Sequence, residues 1–242
     1  MPVFLVGAGP GYTDLITVRG LNLLRKADIV VYDALANGDL LDECKTAELV
    51  DVGKRCNNHK MTQTEINTLL VDLGKSGKNI VRLKGGDPFL FGRGAEEAAA
   101  LRNSGIEVHV VPGVSSSISV PELAGIPVTH RDHAPYVTIV TGHRREGADD
   151  RYWEKLASTE GTLVILMGMS NAEEITEGLV KGGMGSDTPA AIITSGAGPD
   201  QRTETTILSK LSSTIKEKAL QAPGIIVIGS SVEERDLLGD LA

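Results

Sequence analysis

At 242 residues, 41% of them hydrophobic, the chain is long enough to build two modest α/β domains, each with its own core. Its net charge of −8, with no basic run or tail, argues against nucleic acid or an anionic membrane as the main partner. No signal-peptide pattern opens the sequence and no apolar run approaches the roughly 20 residues of a membrane span, so a cytoplasmic setting is expected.

Val3, Phe4, Leu5 and Val6 form a continuous apolar run, the pattern of a buried parallel strand, and enter a glycine-rich turn from Gly7 to Gly11. Leu15, Val18, Leu21 and Leu24 then recur at helical spacing, and a second strand at 29–32 carries Asp33 at its C-terminal end. The outline is that of a dinucleotide-binding βαβ unit. The fingerprint nevertheless fails, because Tyr12 takes the place of its third small residue and Pro10 lies inside the turn. A phosphate-binding loop fails too: Leu69 stands where the first glycine ahead of Gly74-Lys75-Ser76 belongs.

Residues 48–52 read as a third strand leading into Gly53-Lys54-Arg55. Thr62 and Glu65 stand in capping-box spacing before a helix through Ile66, Leu69, Leu70 and Leu73. A strand at 79–83 runs into Gly85, Gly86, Asp87 and Pro88, a sharp turn at its C-terminal edge. An Ala/Glu-rich helix at 95–103 and a fifth strand from Val108 to Val111, closed by Pro112-Gly113, complete this half. Four of the five strands are followed by a glycine-containing turn, which predicts a parallel sheet with short loops along one edge. Beyond it, Ser115, Ser116 and Ser117 precede a helix ending at Gly125, and strands are predicted at 136–141, 162–167, 190–194 and 225–228. Helices are predicted near 171–181 and 207–219, and the change of domain is expected between Pro112 and Pro135.

The turns at 7–11, 85–87 and 112–116 fall on one edge of neighbouring strands, where glycine lets the backbone approach a ligand with no Cβ in the way. Each alone reads as a packing turn; three together point to a pocket for a flat or elongated small molecule. Asp33 and Lys54 end adjacent strands on that edge, a carboxylate and an ammonium that could serve as base and acid, or simply as a strand-end cap and a solvated lysine. Basic residues collect in loops, among them Arg55, His59, Arg93, His130 and Arg131, a set that would make a polyanion site if it converged. His130 and His133 have ligand spacing without a third partner in view, and no metal is expected. Cys44 and Cys56 are too few for a disulfide framework, and no Gly-x-Ser-x-Gly elbow marks a serine nucleophile.

Taken together, these stretches resemble the tetrapyrrole methylase family, and within it the branch that acts on uroporphyrinogen. The resemblance rests on Val6-Gly7-Ala8-Gly9-Pro10-Gly11, Tyr32-Asp33-Ala34-Leu35, Val52-Gly53-Lys54-Arg55 with His59, and above all Arg82 through Gly94. Pro112-Gly113-Val114-Ser115-Ser116, Pro127-Val128-Thr129-His130-Arg131, Met167-Gly168-Met169 and Gly198-Pro199-Asp200-Gln201-Arg202-Thr203 are similar further on. It implies two α/β domains, 1–116 with a mainly parallel sheet and 117–242 with a mixed sheet, an active-site trough between them, and a homodimer. It also implies an S-adenosyl-L-methionine-dependent methyltransferase that methylates uroporphyrinogen III twice to give precorrin-2, on the route to sirohaem or cobalamin. Donor contacts carried over by position fall on Pro10, Gly85, Gly86, Asp87, Leu90, Ser115, Ser116, Met167 and Gly196. Asp33 and Lys54 take the places of proton acceptor and proton donor, and Arg55, His59, Arg93, His130 and Arg131 are the candidates for the substrate's carboxylates. The expected partner is a small tetrapyrrole, with neither nucleic acid nor membrane. Tyr12, where an acidic residue is common, and Ser115-Ser116, in place of Thr-Ala, depart from the family pattern. Competing readings are a sister branch acting on a later precorrin or on a protein-bound diphthamide precursor, and a non-catalytic nucleotide-binding module.

Overall fold

Alternating apolar strands and amphipathic helices leave little choice but to layer helices on both faces of a sheet. The computed structural model describes residues 1–33, 38–53, 61–143, 147, 149 and 151–242. Its contacts divide the chain into two units, Met1–Ser116 and Ser117–Ala242.

The first unit holds β1 (Val3–Gly7), β2 (Ile29–Tyr32), β3 (Glu48–Asp51), β4 (Ile80–Lys84) and β5 (Val108–Val111) in the order β3-β2-β4-β1-β5. Every pairing is parallel, with Val3 opposite both Ile80 and Val108. Helices α1 (Val18–Leu24) and α2 (Gly38–Leu41) cover one face, where Leu24 and Leu40 pack with Val6, Val30, Val81 and Leu83. Helices α3 (Gln63–Gly74) and α4 (Gly94–Asn103) cover the other, with Ile66, Leu70 and Leu101 against Leu5, Val31 and Ile80. The capping box is formed: the Glu65 amide donates to Thr62 Oγ1 at 3.3 Å, and the Thr62 amide donates to Glu65 Oε2 at 2.8 Å.

This order fixes where a ligand can enter. β1 and β4 are neighbours, yet the chain leaves β1 for α1 on one face and leaves β4 for α4 on the other. Their two loops therefore part from each other at the C-terminal edge, the switch point at which open α/β sheets bind ligands.

The second unit contains α5 (Ser116–Leu123, whose first residue closes the first unit), β6 (Val137–Thr141), α6 (Tyr152–Leu156), β7 (Thr162–Leu166), α7 (Ala172–Lys181), β8 (Pro189–Thr194), β9 (Arg202–Ile207), α8 (Leu211–Glu217), β10 (Gly224–Ile228) and α9 (Arg235–Leu238). Its sheet has the order β6-β7-β10-β8-β9, parallel at β6–β7 and antiparallel elsewhere. Trp153, Ile175, Leu179 and Leu211 pack on Leu163, Ile165, Ile192 and Ile226. The sequence reading missed β9 and the short helices α2, α6 and α9. β9 is an edge strand of threonines and charges with no buried residue, so it lacks the apolar signal by which the other strands are found. α6 has only five residues, and a single buried side chain, Trp153, anchors it.

Candidate functional site

At the edge of the first sheet the three glycine turns pack backbone on backbone. The amide of Gly86 donates to the Gly9 carbonyl at 2.7 Å and that of Gly9 to the Gly86 carbonyl at 3.3 Å. A Cβ on Gly113 would stand 2.2 Å from the Gly86 carbonyl oxygen, and one on Gly7 would stand 2.5 Å from Gly113 Cα, so no larger residue fits either position. Gly86 differs. Its φ of +62° favours glycine, yet its Cβ direction meets only the Ser116 amide nitrogen, at 3.8 Å. A ligand can approach the backbone there.

Asp87 staples this edge: Oδ2 accepts from the Gly113 amide at 3.1 Å and Oδ1 from the Phe89 amide at 2.9 Å. Pro10, Gly85, Leu90, Ser115 and Ser116 are all half-buried around it. The following loop is strained, with Phe91 at φ 53° and Arg93 at φ 58°, and it leaves Phe89 and Phe91 exposed. Arg93 grips Glu96 through two hydrogen bonds, of 2.9 and 2.7 Å, which hold the Glu96 carboxyl below its ordinary range. Both side chains are over half exposed, so this pair is weakly held and exchangeable.

Beneath the edge lies a buried charge network that the sequence reading did not find. β4 places Arg82 and Lys84, two residues apart, on the face covered by α3 and α4. Arg82 Nε donates to Glu97 Oε1 at 3.2 Å and Nη1 to the Leu83 carbonyl at 3.1 Å, while Nη2 reaches Asp33 Oδ2 at 3.1 Å. Lys84 Nζ donates to the same Glu97 Oε1 at 3.0 Å. Burial pushes the Lys84 ammonium below its ordinary pKa and the neighbouring Arg82 charge adds to this; Glu97 opposes both. Glu97 is wholly buried, and its Oε2 has no hydrogen-bond partner among the described residues. A signal was present. Gly94, Glu97 and Leu101 follow helical spacing on the buried face of α4, so a carboxylate stands in an apolar stripe.

In the second unit β6, β7 and β8 run in the same direction, which brings Gly142, Met167 and Gly196 to one edge of that sheet. Met167 (φ 57°), Ser195 (φ 50°) and Ala197 (φ 58°) are all left-handed. Five of the six described non-glycine residues with positive φ thus lie on loops that carry predicted donor or substrate contacts. Gly196 is required by close approach, since its Cβ would fall 2.3 Å from Val120 Cγ1.

Arg131 is exposed. His130 stacks on His133, centroids 4.1 Å apart and planes 18° apart, and both face Glu234, at 3.8 and 3.4 Å. Glu234 supplies the third polar partner that the sequence did not reveal. A metal must lie near the plane of each imidazole that binds it, and two rings stacked face to face offer separate planes, so this arrangement is not a chelate. Lys54, Arg55 and His59 lie outside the described residues.

The doubly faced parallel sheet, with its glycine-lined switch point and strained edge loops, defines an α/β protein that binds a small organic ligand. Residues 2–212 match the model of the tetrapyrrole (corrin/porphyrin) methylases, and the chain belongs to that family. It is 46% identical over 243 residues to an S-adenosyl-L-methionine-dependent uroporphyrinogen III methyltransferase of Methanosarcina barkeri, covering 98% of this chain and 94% of that protein. It is equally identical, over 237 residues, to a siroheme synthase of Thiobacillus denitrificans, of which it spans only 50%. The chain therefore spans about half the length of the siroheme synthases it matches. Among solved structures it is similar to the uroporphyrin-III C-methyltransferase of Thermus thermophilus complexed with S-adenosyl homocysteine. There the TM-score is 0.84 and the identity 33%, with 96% of this chain and 99% of that one covered. A cobalt precorrin-4 methyltransferase has a TM-score of 0.86 at 26% identity, over 96% and 95% of the two chains.

Proposed function

We propose that this protein is an S-adenosyl-L-methionine-dependent C-methyltransferase that adds two methyl groups to uroporphyrinogen III, giving precorrin-2 for sirohaem or cobalamin. The observation that carries this reading is the 46% identity to the uroporphyrinogen III methyltransferase of M. barkeri across 94% of its length. The open backbone at Gly86, where an added Cβ would meet only the Ser116 amide nitrogen at 3.8 Å, supports placing the donor there. When bound, the donor supplies a methyl group on a cationic sulfur.

The protein's part is then to position, to hold charge and to move a proton. In the first unit the donor contacts are assigned to Pro10, Gly85, Gly86, Asp87, Leu90, Ser115 and Ser116; in the second unit, taken by itself, Met167 and Gly196 are assigned as donor contacts. Methylation of an electron-rich pyrrole carbon leaves a cationic ring that must shed a proton. Asp33, oriented by Arg82, accepts that proton and passes it to solvent; Lys54 holds the position the family resemblance gives to a proton donor. Arg55, His59, Arg93, His130 and Arg131 meet the substrate's carboxylates; Arg93 exchanges its exposed Glu96 partner for one of them. Phe89 and Phe91 offer exposed apolar surface to the individual pyrrole rings of the macrocycle. We infer further that the enzyme works as a homodimer in the cytoplasm; no helix among the described residues is long and apolar enough to cross a membrane.

The test is incubation with labelled methyl donor and uroporphyrinogen III, read by mass. Two added methyls are expected. Methylation only of a later precorrin would move the protein to the branch of the precorrin-4 enzyme, and donor binding without transfer would make it a binding module.

A further inference from the structure

The network under the first sheet's edge is built in a way that packing alone does not explain. Arg82 and Lys84 are like charges on one face of one strand, both nearly buried, and either would be costly there without an anion. One oxygen, Glu97 Oε1, serves them both. Gln63 Nε2 approaches the same oxygen at 3.4 Å while Oε2 goes without a partner among the described residues, so the carboxylate is aimed at the two cations at the expense of its own satisfaction. The guanidinium is thereby fixed on three sides. Glu97 holds Nε, the Leu83 and Val31 carbonyls hold Nη1, and Nη2 is presented to Asp33. The Arg82 side chain is 3% exposed and that of Glu97 0%, whereas the Asp33 side chain is 29% exposed, so the chain of contacts runs from the core of the unit to its ligand edge.

We propose that Glu97 is a positioning residue for Asp33: its buried charge locks the Arg82 guanidinium, and the locked guanidinium sets where the Asp33 carboxylate stands. This rests on the functional reading above in that Asp33 is taken as the proton acceptor. Without the Glu97 charge, Arg82 and Lys84 repel each other across one strand face, and Asp33 is the anion that still contacts Arg82 and whose charge is felt at Lys84. The carboxylate is then drawn in towards the strand and away from the ring it must reach. A displacement on the order of 1 Å at such a group costs roughly 100-fold in rate.

Glu97→Gln keeps the shape and removes the charge. Turnover of uroporphyrinogen III should fall at least tenfold, with the donor's Kd, measured with S-adenosyl homocysteine, within twofold of the parent. Because Glu97→Gln also leaves two buried cations poorly balanced, Lys84→Met/Glu97→Gln is the companion variant, in which the lost anion and one cation leave together. It should regain thermal stability while turnover stays low. Parent-like turnover in the single variant, or turnover recovering along with stability in the double, overturns the proposal. A crystal structure of whichever variant folds decides independently of activity. An Asp33 carboxylate that keeps its parent position against the β2 and β4 backbone refutes the positioning role, and one displaced towards the strand upholds it. A parent protein that fails to methylate uroporphyrinogen III at all would refute the functional reading instead, with the crystallographic comparison still judging Glu97.

Discussion

Asp33 and Arg131, opposite in charge, differ also in what holds them. Asp33 sits at the end of β2 against a buried guanidinium, in a geometry the core imposes. Arg131 stands exposed on the polar loop ahead of β6. The two should fail differently. Asp33→Ala is expected to leave donor affinity unchanged while turnover drops by 100-fold or more, the size of a lost general base. Arg131→Ala should raise the substrate KM several-fold, with kcat and donor affinity little altered, as befits a contact made equally in ground and transition states. Steady-state kinetics beside donor titration checks both; full activity of Asp33→Ala would remove it from the mechanism.

The glycines of the β1, β4 and β5 turns divide by physical cause, and the division is testable at the level of the turn. Gly113 is surrounded by backbone at 2.2–3.0 Å, so the Cβ of Gly113→Ala can be accommodated only by pulling the turns apart. Thermal unfolding should show a loss above about 2 kcal/mol. Gly86→Ala meets open space and suffers only its left-handed φ, roughly 1–2 kcal/mol. That variant should fold and yet lose donor binding, because the new methyl occupies the ligand's approach. If both lose stability alike and bind donor alike, the two roles assigned to these glycines are wrong.

At the scale of the whole molecule, a chain of net charge −8 is proposed to take an anionic macrocycle, so its attraction must be local. Exposed Arg93 and Arg131 are of the right kind, since their fields reach about 8–10 Å at ordinary salt and matter most at contact. The proposed homodimer is checked by sedimentation, which should give twice the 25.5 kDa chain mass; a single-chain mass at working concentration would withdraw it.

Much of the fold was legible from the residues. Apolar runs at 3–6, 29–32 and 80–83, each punctuated by glycine or a polar turn, required a buried parallel sheet, and the Thr62–Glu65 spacing fixed where α3 begins. Such features depend on neighbours a few residues away, and the local chemistry determines them. What only the tertiary structure decided is which distant groups meet. Glu97 finds Arg82 because α4 lies across β4, and Glu234 finds His133 from about a hundred residues away. Gly113 needs to be glycine because the Gly86 carbonyl arrives beside it from another strand. Contacts of that kind carry no periodicity along the chain, since they arise from the order in which strands enter the sheet, and a sequence read in one dimension does not contain that order.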